Sequence, residues 1–252
     1  MQYFRTISAF LLSDLKGGIE AGRQIMVKGL NPCLIRLYDE YDTGHILKKQ
    51  YGLEKEGCVL IIGFDGMEKV VRTQEEVAYS ILQDNGGNDL GEEIALNWWD
   101  NRYRSYYPPL DYICEPWMTA VMDTVAPYEK IETIYWEMKR GVEEGFKQWK
   151  AIFHAHFSHW YDWGTSFYPT FLVKDFPNNP QEAIRLYNQI LDFCIEASIK
   201  NGGVVNEHHG IGLRFGRFIK EISTENFELA QIIKKALDPN SLLNPGKLGL
   251  GE

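Results

Sequence analysis

An α+β fold is predicted by two features of these 252 residues. Two helical patterns stop at the same signal, Asn85-Gly86-Gly87 and Asn201-Gly202-Gly203, about 116 residues apart. Each stop is preceded by strand, helix, strand and strand signals in the same order. The repetition points to one antiparallel sheet made from two tandem ferredoxin-like halves, 1–87 and 110–206, with helices on one face and short C-terminal helices after them.

Residues 2–12 alternate as a strand, and Ser13 to Gly29 carries Leu15, Ile19, Ile25 and Met26 at helical spacing. A strand returns at Cys33 to Tyr38, and a buried one follows at 57–64. Asp65 is placed to cap the next helix, with Glu68 three positions on. That helix is expected to bury Met67, Val70, Val71, Val77, Ala78, Ile81 and Leu82, and to stop at Asn85-Gly86-Gly87 in a left-handed terminus. The aromatic run 88–109 reads as the link between halves. Leu110 to Glu115 suggests a strand, Pro127 to Gly145 a helix, and Trp149 to His159 and Thr165 to Val173 two further strands. Asn179, Pro180 and Glu182 open a helix by capping chemistry. Its apolar face is Ile184, Tyr187, Ile190, Leu191, Cys194, Ile195 and Ile199. Two short helices follow, about Leu213 to Glu221 and Thr224 to Leu237.

Composition limits what such a fold can bind. An apolar fraction of 44% with 13% aromatic residues is ample for a sizeable core. A net charge of -9 argues against nucleic acid or an anionic membrane surface as partner. Local positive charge must therefore hold any anionic substrate. No apolar run approaches the ~20 residues of a membrane span, and the N-terminus lacks a signal peptide's layout, so a cytoplasmic location is expected. Cys33, Cys58, Cys114 and Cys194 are far apart and are expected as buried thiols rather than disulfides or a metal site.

The chemistry-bearing residues concentrate late in the chain. Gly202 to Arg214 reads Gly-Gly-Val-Val-Asn-Glu-His-His-Gly-Ile-Gly-Leu-Arg, with adjacent imidazoles before a Gly-x-Gly turn. Asp238-Pro239 ends the last helix, and Asn244-Pro245-Gly246 turns the chain again. Ala155 to Tyr168 carries His156, His159 and Tyr161 among aromatics, and Arg36 lies on the apolar strand Asn31 to Asp39.

Together these segments resemble the C-terminal part of FAD-linked oxidases of the vanillyl-alcohol-oxidase superfamily, which includes D-lactate and glycolate dehydrogenases and alkyl-dihydroxyacetone-phosphate synthase. The strand around Arg36 looks like the synthase strand that carries an arginine near flavin and substrate. Ala155 to Tyr168 resembles that branch's active-site strand pair, where the tyrosine before Asp-x-Gly is the proposed acid/base. The dehydrogenases carry Gly-Asp-Gly-Asn-x-His in the corresponding strand, which is missing here. Glu207-His208-His209-Gly210 is intermediate between the two branches.

The resemblance implies a substrate (cap) domain at 1–206 and a C-terminal helical segment, 207–252, packing toward a flavin. FAD would be held mainly by a domain absent from this chain, since no glycine-rich phosphate-binding run occurs. The partner would be an FAD-binding domain or subunit, and self-association stays open. The implied catalytic residues are Tyr161, His208 and His209. Arg36, His156, His159 and Arg214 would meet the substrate, and His209, Asn244 and Lys247 the cofactor. Plainer roles stand beside these: Tyr161 as a packing aromatic, Arg36 as an ion pair with Asp39 or Glu40, and Arg214 and Arg217 as a solvated helix face. Tyr161 ionises only near pH 10 unless imidazolium or guanidinium charge lies close. Ligation of a metal by His154, His156 and His159 with Glu207 needs a bend before His159, and no metal site is assigned. The resulting expectation is the catalytic C-terminal domain of an FAD-linked oxidoreductase resembling the synthase, acting on a small oxygenated anionic substrate. A D-2-hydroxy-acid dehydrogenase subunit and a non-catalytic ferredoxin-like binding module are the alternatives.

Overall fold

The computed structural model of the protein describes residues 4–48, 52, 54–103 and 116–250. Two sets of elements form one antiparallel sheet. The first set is β1 (Phe4–Leu12), α1 (Leu15–Val27), β2 (Leu34–Tyr38), β3 (Cys58–Gly66), α2 (Glu68–Asp84) and β4 (Asn88–Gly91). After α3 (Glu92–Asn101) come β5 (Met118–Val121), β6 (Thr124–Pro127), α4 (Tyr128–Gly145), β7 (Ile152–Trp160), β8 (Gly164–Val173) and α5 (Pro180–Lys200). The chain closes with α6 (Gly216–Ile222) and α7 (Thr224–Leu237).

The strand order is β4-β1-β3-β2-β7-β8-β5, with β6 also on β8, so corresponding strands β2 and β7 meet at the seam. The seam is short. Only Leu37↔Phe157 and Tyr38↔His156 pair across it. β5 and β6 occupy one strand position, interrupted at Met122-Asp123, and both pair with β8.

The two helix stops are the same motif. In α2, Gly86 N donates to Gln83 O at 2.9 Å and Gly87 N to Leu82 O at 2.8 Å. In α5, Gly202 N donates to Ile199 O at 3.0 Å and Gly203 N to Ser198 O at 2.8 Å. Gly86 and Gly202 hold φ of 82° and 84°, the left-handed conformation that glycine adopts without a Cβ penalty. Beyond the first stop the chain becomes β4 against β1. Beyond the second no strand forms, and residues 204–209 wrap instead around the β5/β6 break.

The main core lies between the sheet and helices α1, α2, α4 and α5, where Phe10, Leu37, Phe64, Phe153, Phe157 and Phe167 are buried. On the opposite face α3 sets Ala95 and Trp98 against Ile7, Ala9, Tyr38, Val59 and Ile61. Trp98 Nε1 donates to Tyr38 Oη at 2.8 Å.

Several local expectations need correction. The run 88–109 is not a plain link, because it holds β4 and α3; residues 104–109 and the strand expected at 110–115 lie outside the described residues. Asp65 stays in β3 and pairs with Arg5 at 2.8 Å, so α2 starts after Met67 without a side-chain cap. Met67, just before α2, and Val70 and Val77 within it are 69%, 49% and 39% exposed; Val70 and Val77 each lie one position, about 100° of helix, before the buried Val71 and Ala78. Ile184 of α5 likewise faces out, while Leu186 turns in. Asn179 caps α5 as expected, accepting from Gln181 N and Glu182 N. Cys58 and Cys194 are buried, Cys33 is exposed at the strand edge, and Cys114 is outside the described residues.

Candidate functional site

The site is organised by a residue that sequence reasoning missed. Asp123 sits in the β5/β6 break with its side chain 1% exposed. Its Oδ2 accepts from Glu207 N at 2.5 Å and His208 N at 2.8 Å, and its Oδ1 from Asn206 Nδ2 at 2.5 Å. His209 Nδ1 bonds to the same Oδ1. Thr124 anchors the approach, donating through Oγ1 to Val204 O at 2.8 Å. A buried carboxylate is tolerable here because several N–H groups compensate its desolvation.

That turn brings Glu207 to Tyr161, on the β7–β8 hairpin. Tyr161 Oη donates to Glu207 Oε1 at 2.5 Å, while His159 Nδ1 lies 3.0 Å from Oε2, which His208 Nδ1 also meets. A carboxylate only accepts, so His159 and His208 carry their protons on Nδ1, as does His209 beside Asp123. His159 faces this way because β7 bulges between Phe157 and Trp160, which supplies the bend that the sequence required.

The rings form a continuous row on the sheet face opposite the main core. His159 and His208 are 4.4 Å apart between centroids, His208 and His209 3.9 Å, His209 and Tyr168 5.2 Å, and Tyr168 stacks on His156 at 5.0 Å. Beyond His156 lies Arg36, whose Nη2 donates to His156 Nε2 at 2.7 Å and whose guanidinium rests on the Tyr38 ring. Neither Asp39 nor Glu40 pairs with Arg36. Asp39 is buried and accepts from Tyr135 Oη at 2.9 Å and Ala155 N at 2.7 Å. Among the described residues Arg36 has no carboxylate partner in ion-pair range, and its Nε is buried without a hydrogen bond.

Electrostatics follow from these contacts. The Tyr161 hydroxyl is pushed up to about 12, chiefly by its hydrogen bond to Glu207. The His159 and His208 imidazoles bind the far oxygen of Glu207, and the phenol meets the carboxylate instead. Burial would raise Glu207, but bonds from Tyr161, His159 and His208 outweigh it and hold the carboxyl below its usual range. Burial, then the Arg36 charge, keeps His156 well below an ordinary histidine.

Other expected site residues fall elsewhere. Arg214 donates to Tyr187 Oη at 3.0 Å and Val121 O at 2.8 Å, tying the glycine turn to β5. Arg217 pairs with Asp192. Asn244 and Lys247 are exposed on the tail, which lies against the turn through Leu248 N to Gly212 O at 2.9 Å. His154 turns away to Asp42 at 2.6 Å, so His154, His156 and His159 form no ligand set. Two other groups converge within 4.8 Å, His159 with Glu207 and His208, and Asp123 with His208 and His209.

A continuous antiparallel sheet with a ring-lined face and a Glu-His-His turn defines a class. The chain belongs to the FAD linked oxidases, C-terminal domain family, whose profile matches residues 2–248. Its similarity to individual proteins is more distant. It is 25% identical to alkyldihydroxyacetonephosphate synthase of Dictyostelium discoideum over 95% of this chain and 43% of that protein. It is 26% identical to the uncharacterized FAD-linked oxidoreductase YgcU of Escherichia coli over 95% of this chain and 50% of that protein. Glycolate oxidase subunit GlcD of Escherichia coli matches at 24% over 96% of this chain and 47% of its own length. The chain thus spans about half the length of the curated relatives it matches. A solved alkyldihydroxyacetonephosphate synthase structure shares the fold with a TM-score of 0.73 at 22% identity, covering 96% of this chain and 45% of that one.

Proposed function

We propose that this chain is the substrate-binding and catalytic C-terminal domain of an FAD-linked oxidoreductase resembling alkyldihydroxyacetonephosphate synthase, acting on a small oxygenated anionic substrate. One observation carries the reading: the ring row has at one end a guanidinium without a carboxylate partner among the described residues and at the other a Tyr-Glu-imidazole set. The flavin fits this face, because a planar heterocycle packs against a ring-lined surface, and the side chains of His159, His208 and His209 are 42%, 36% and 40% exposed. His208 and His209 would hold it, and bound FAD supplies the electron acceptor. Its phosphates call for the portion of the longer relatives that this chain does not span.

The chain's own residues divide the remaining work. Arg36 holds the anionic group, and His156, kept neutral, orients the guanidinium by accepting from it. Tyr161 is a poor free base, so proton transfer runs as a relay. The substrate hydroxyl gives its proton to Tyr161 Oη while Tyr161 passes its own to Glu207 Oε1. His159 and His208 fix the acceptor carboxylate. In the flavin-loaded assembly, Tyr161→Phe should abolish turnover, at least ~100-fold on the scale of a lost general base, with flavin retained by absorbance. Retained turnover would refute the relay.

A second reading rests on His159, Glu207 and His208. Their spacing suits a divalent cation that would grip the carboxylate and hydroxyl of a D-2-hydroxy acid. Flavin bleaching by D-lactate that is lost on chelation and restored by metal would select it over the first.

A further inference from the structure

Where β2 and β7 part, a slot opens through the seam. Pairing stops after Leu37↔Phe157 because β7 bulges beyond Phe157. The slot has a volume of about 280 Å³ and is walled by Met26, Leu34, Ile35 and Trp160 together with His159 and Tyr161. Pro32, Cys33 and Ser158 complete the lining, which among the described residues holds no Asp, Glu, Lys or Arg. His159 turns its Nδ1 proton to Glu207 rather than to the slot.

We infer that this slot receives the compact apolar substituent of the substrate, while the reacting oxygenated carbon sits at Tyr161. Two of the three residues bonded to the Glu207 carboxylate, His159 and Tyr161, are also walls of the slot, so a group seated there is tethered within reach of the relay. Charge complementarity favours an uncharged occupant, because burying an ion against these walls carries an uncompensated desolvation penalty. Size sets the limit. An apolar cavity of about 150 Å³ takes benzene, roughly 25 Å³ per carbon. At that rate the slot, at about 280 Å³, takes roughly eleven carbons, two fused rings rather than a long alkyl chain. The position of the reacting carbon rests on the relay proposed above; the binding of the apolar group does not.

The probe is 2-naphthalenemethanol, titrated into the chain by calorimetry without flavin. Saturable one-site binding is expected, at least tenfold tighter than benzyl alcohol. Leu34→Trp, which fills the slot from β2, should weaken it at least tenfold. Ser158→Phe fills it from β7 and serves equally if Leu34→Trp does not fold, folding being judged by melting temperature. Absence of saturable binding to the unaltered chain, or unchanged affinity in a folded filled variant, overturns the inference. The titration contains no flavin and reads no turnover, so it is independent of the relay. Failure of the relay therefore leaves the slot result intact, and failure of the slot leaves the turnover test intact.

Discussion

Asp123 shows how one side chain can set the geometry of several. Its two oxygens take backbone N–H groups of Glu207 and His208, the Asn206 amide and the His209 ring. Asp123→Ala leaves buried donors unpaired, at about 1–3 kcal/mol for each such group. Its melting temperature should fall and turnover of the flavin-loaded assembly should fall with it. Asp123→Asn keeps the shape but presents NH₂ to a donor, so it should recover stability only in part. A variant as active as the parent would show that the turn holds itself. Tyr161, His159, His208 and His209 were legible because they cluster in two short segments. Asp123 was not, since its partners lie 83 to 86 residues away and a lone acid between Met122 and Thr124 carries no periodic signal. The contacts of Arg214 were hidden for a related reason: the Val121 carbonyl to which it donates lies 93 residues earlier in the chain.

Elements are held together by close approaches that glycine permits. A Cβ on Gly22 of α1 would lie 2.1 Å from the Trp160 ring, against the strand that carries the bulge. Gly22→Ala should therefore destabilise by about 1–3 kcal/mol, as overpacking does. Gly145 at the end of α4 has nothing within 4 Å, and Gly145→Ala should stabilise by up to about 1 kcal/mol. Denaturant midpoints read both. The seam also titrates. Burial, with the charge of Asp42, raises the Asp39 carboxyl to about 7. Burial opposes protonation of His154, but the Asp42 charge outweighs it and raises that imidazole too. Both raised groups stabilise the native state at low pH and lose that contribution as pH climbs through their folded values. Stability should fall from about pH 4 to 7 as Asp39 titrates, by a few kcal/mol at most, with the His154 contribution lost above the ordinary imidazole range, and Asp39→Asn should flatten the slope. Helix stops and the α5 cap were readable locally because their geometry is made by four or five consecutive residues. The start of α2 was not, because Arg5, 60 residues earlier, draws Asp65 into an ion pair across the sheet.

At the scale of the whole molecule, the chain leaves apolar surface uncovered. Leu229, Ile232, Ile233 and Leu237 of α7 are 56%, 66%, 50% and 79% exposed, and Leu242 and Leu243 continue the patch along the tail. An uncovered patch of this kind marks an association surface, and the longer relatives supply about as much chain again to cover it. Ile232→Glu with Leu237→Glu should leave the chain's own melting temperature within about 2 °C, since exposed positions tolerate change, and should abolish co-purification with a flavin-binding portion expressed separately. No helix among the described residues is long and apolar enough to cross a membrane. The two halves differ most after their glycine stops, where the first forms β4 and the second forms the Glu-His-His turn. If the halves descend from one duplicated ancestor, the first copy has kept the ancestral strand as scaffold. That redundancy released the second copy's terminal segment from sheet formation, and selection could remodel it around Asp123 without dismantling the shared framework.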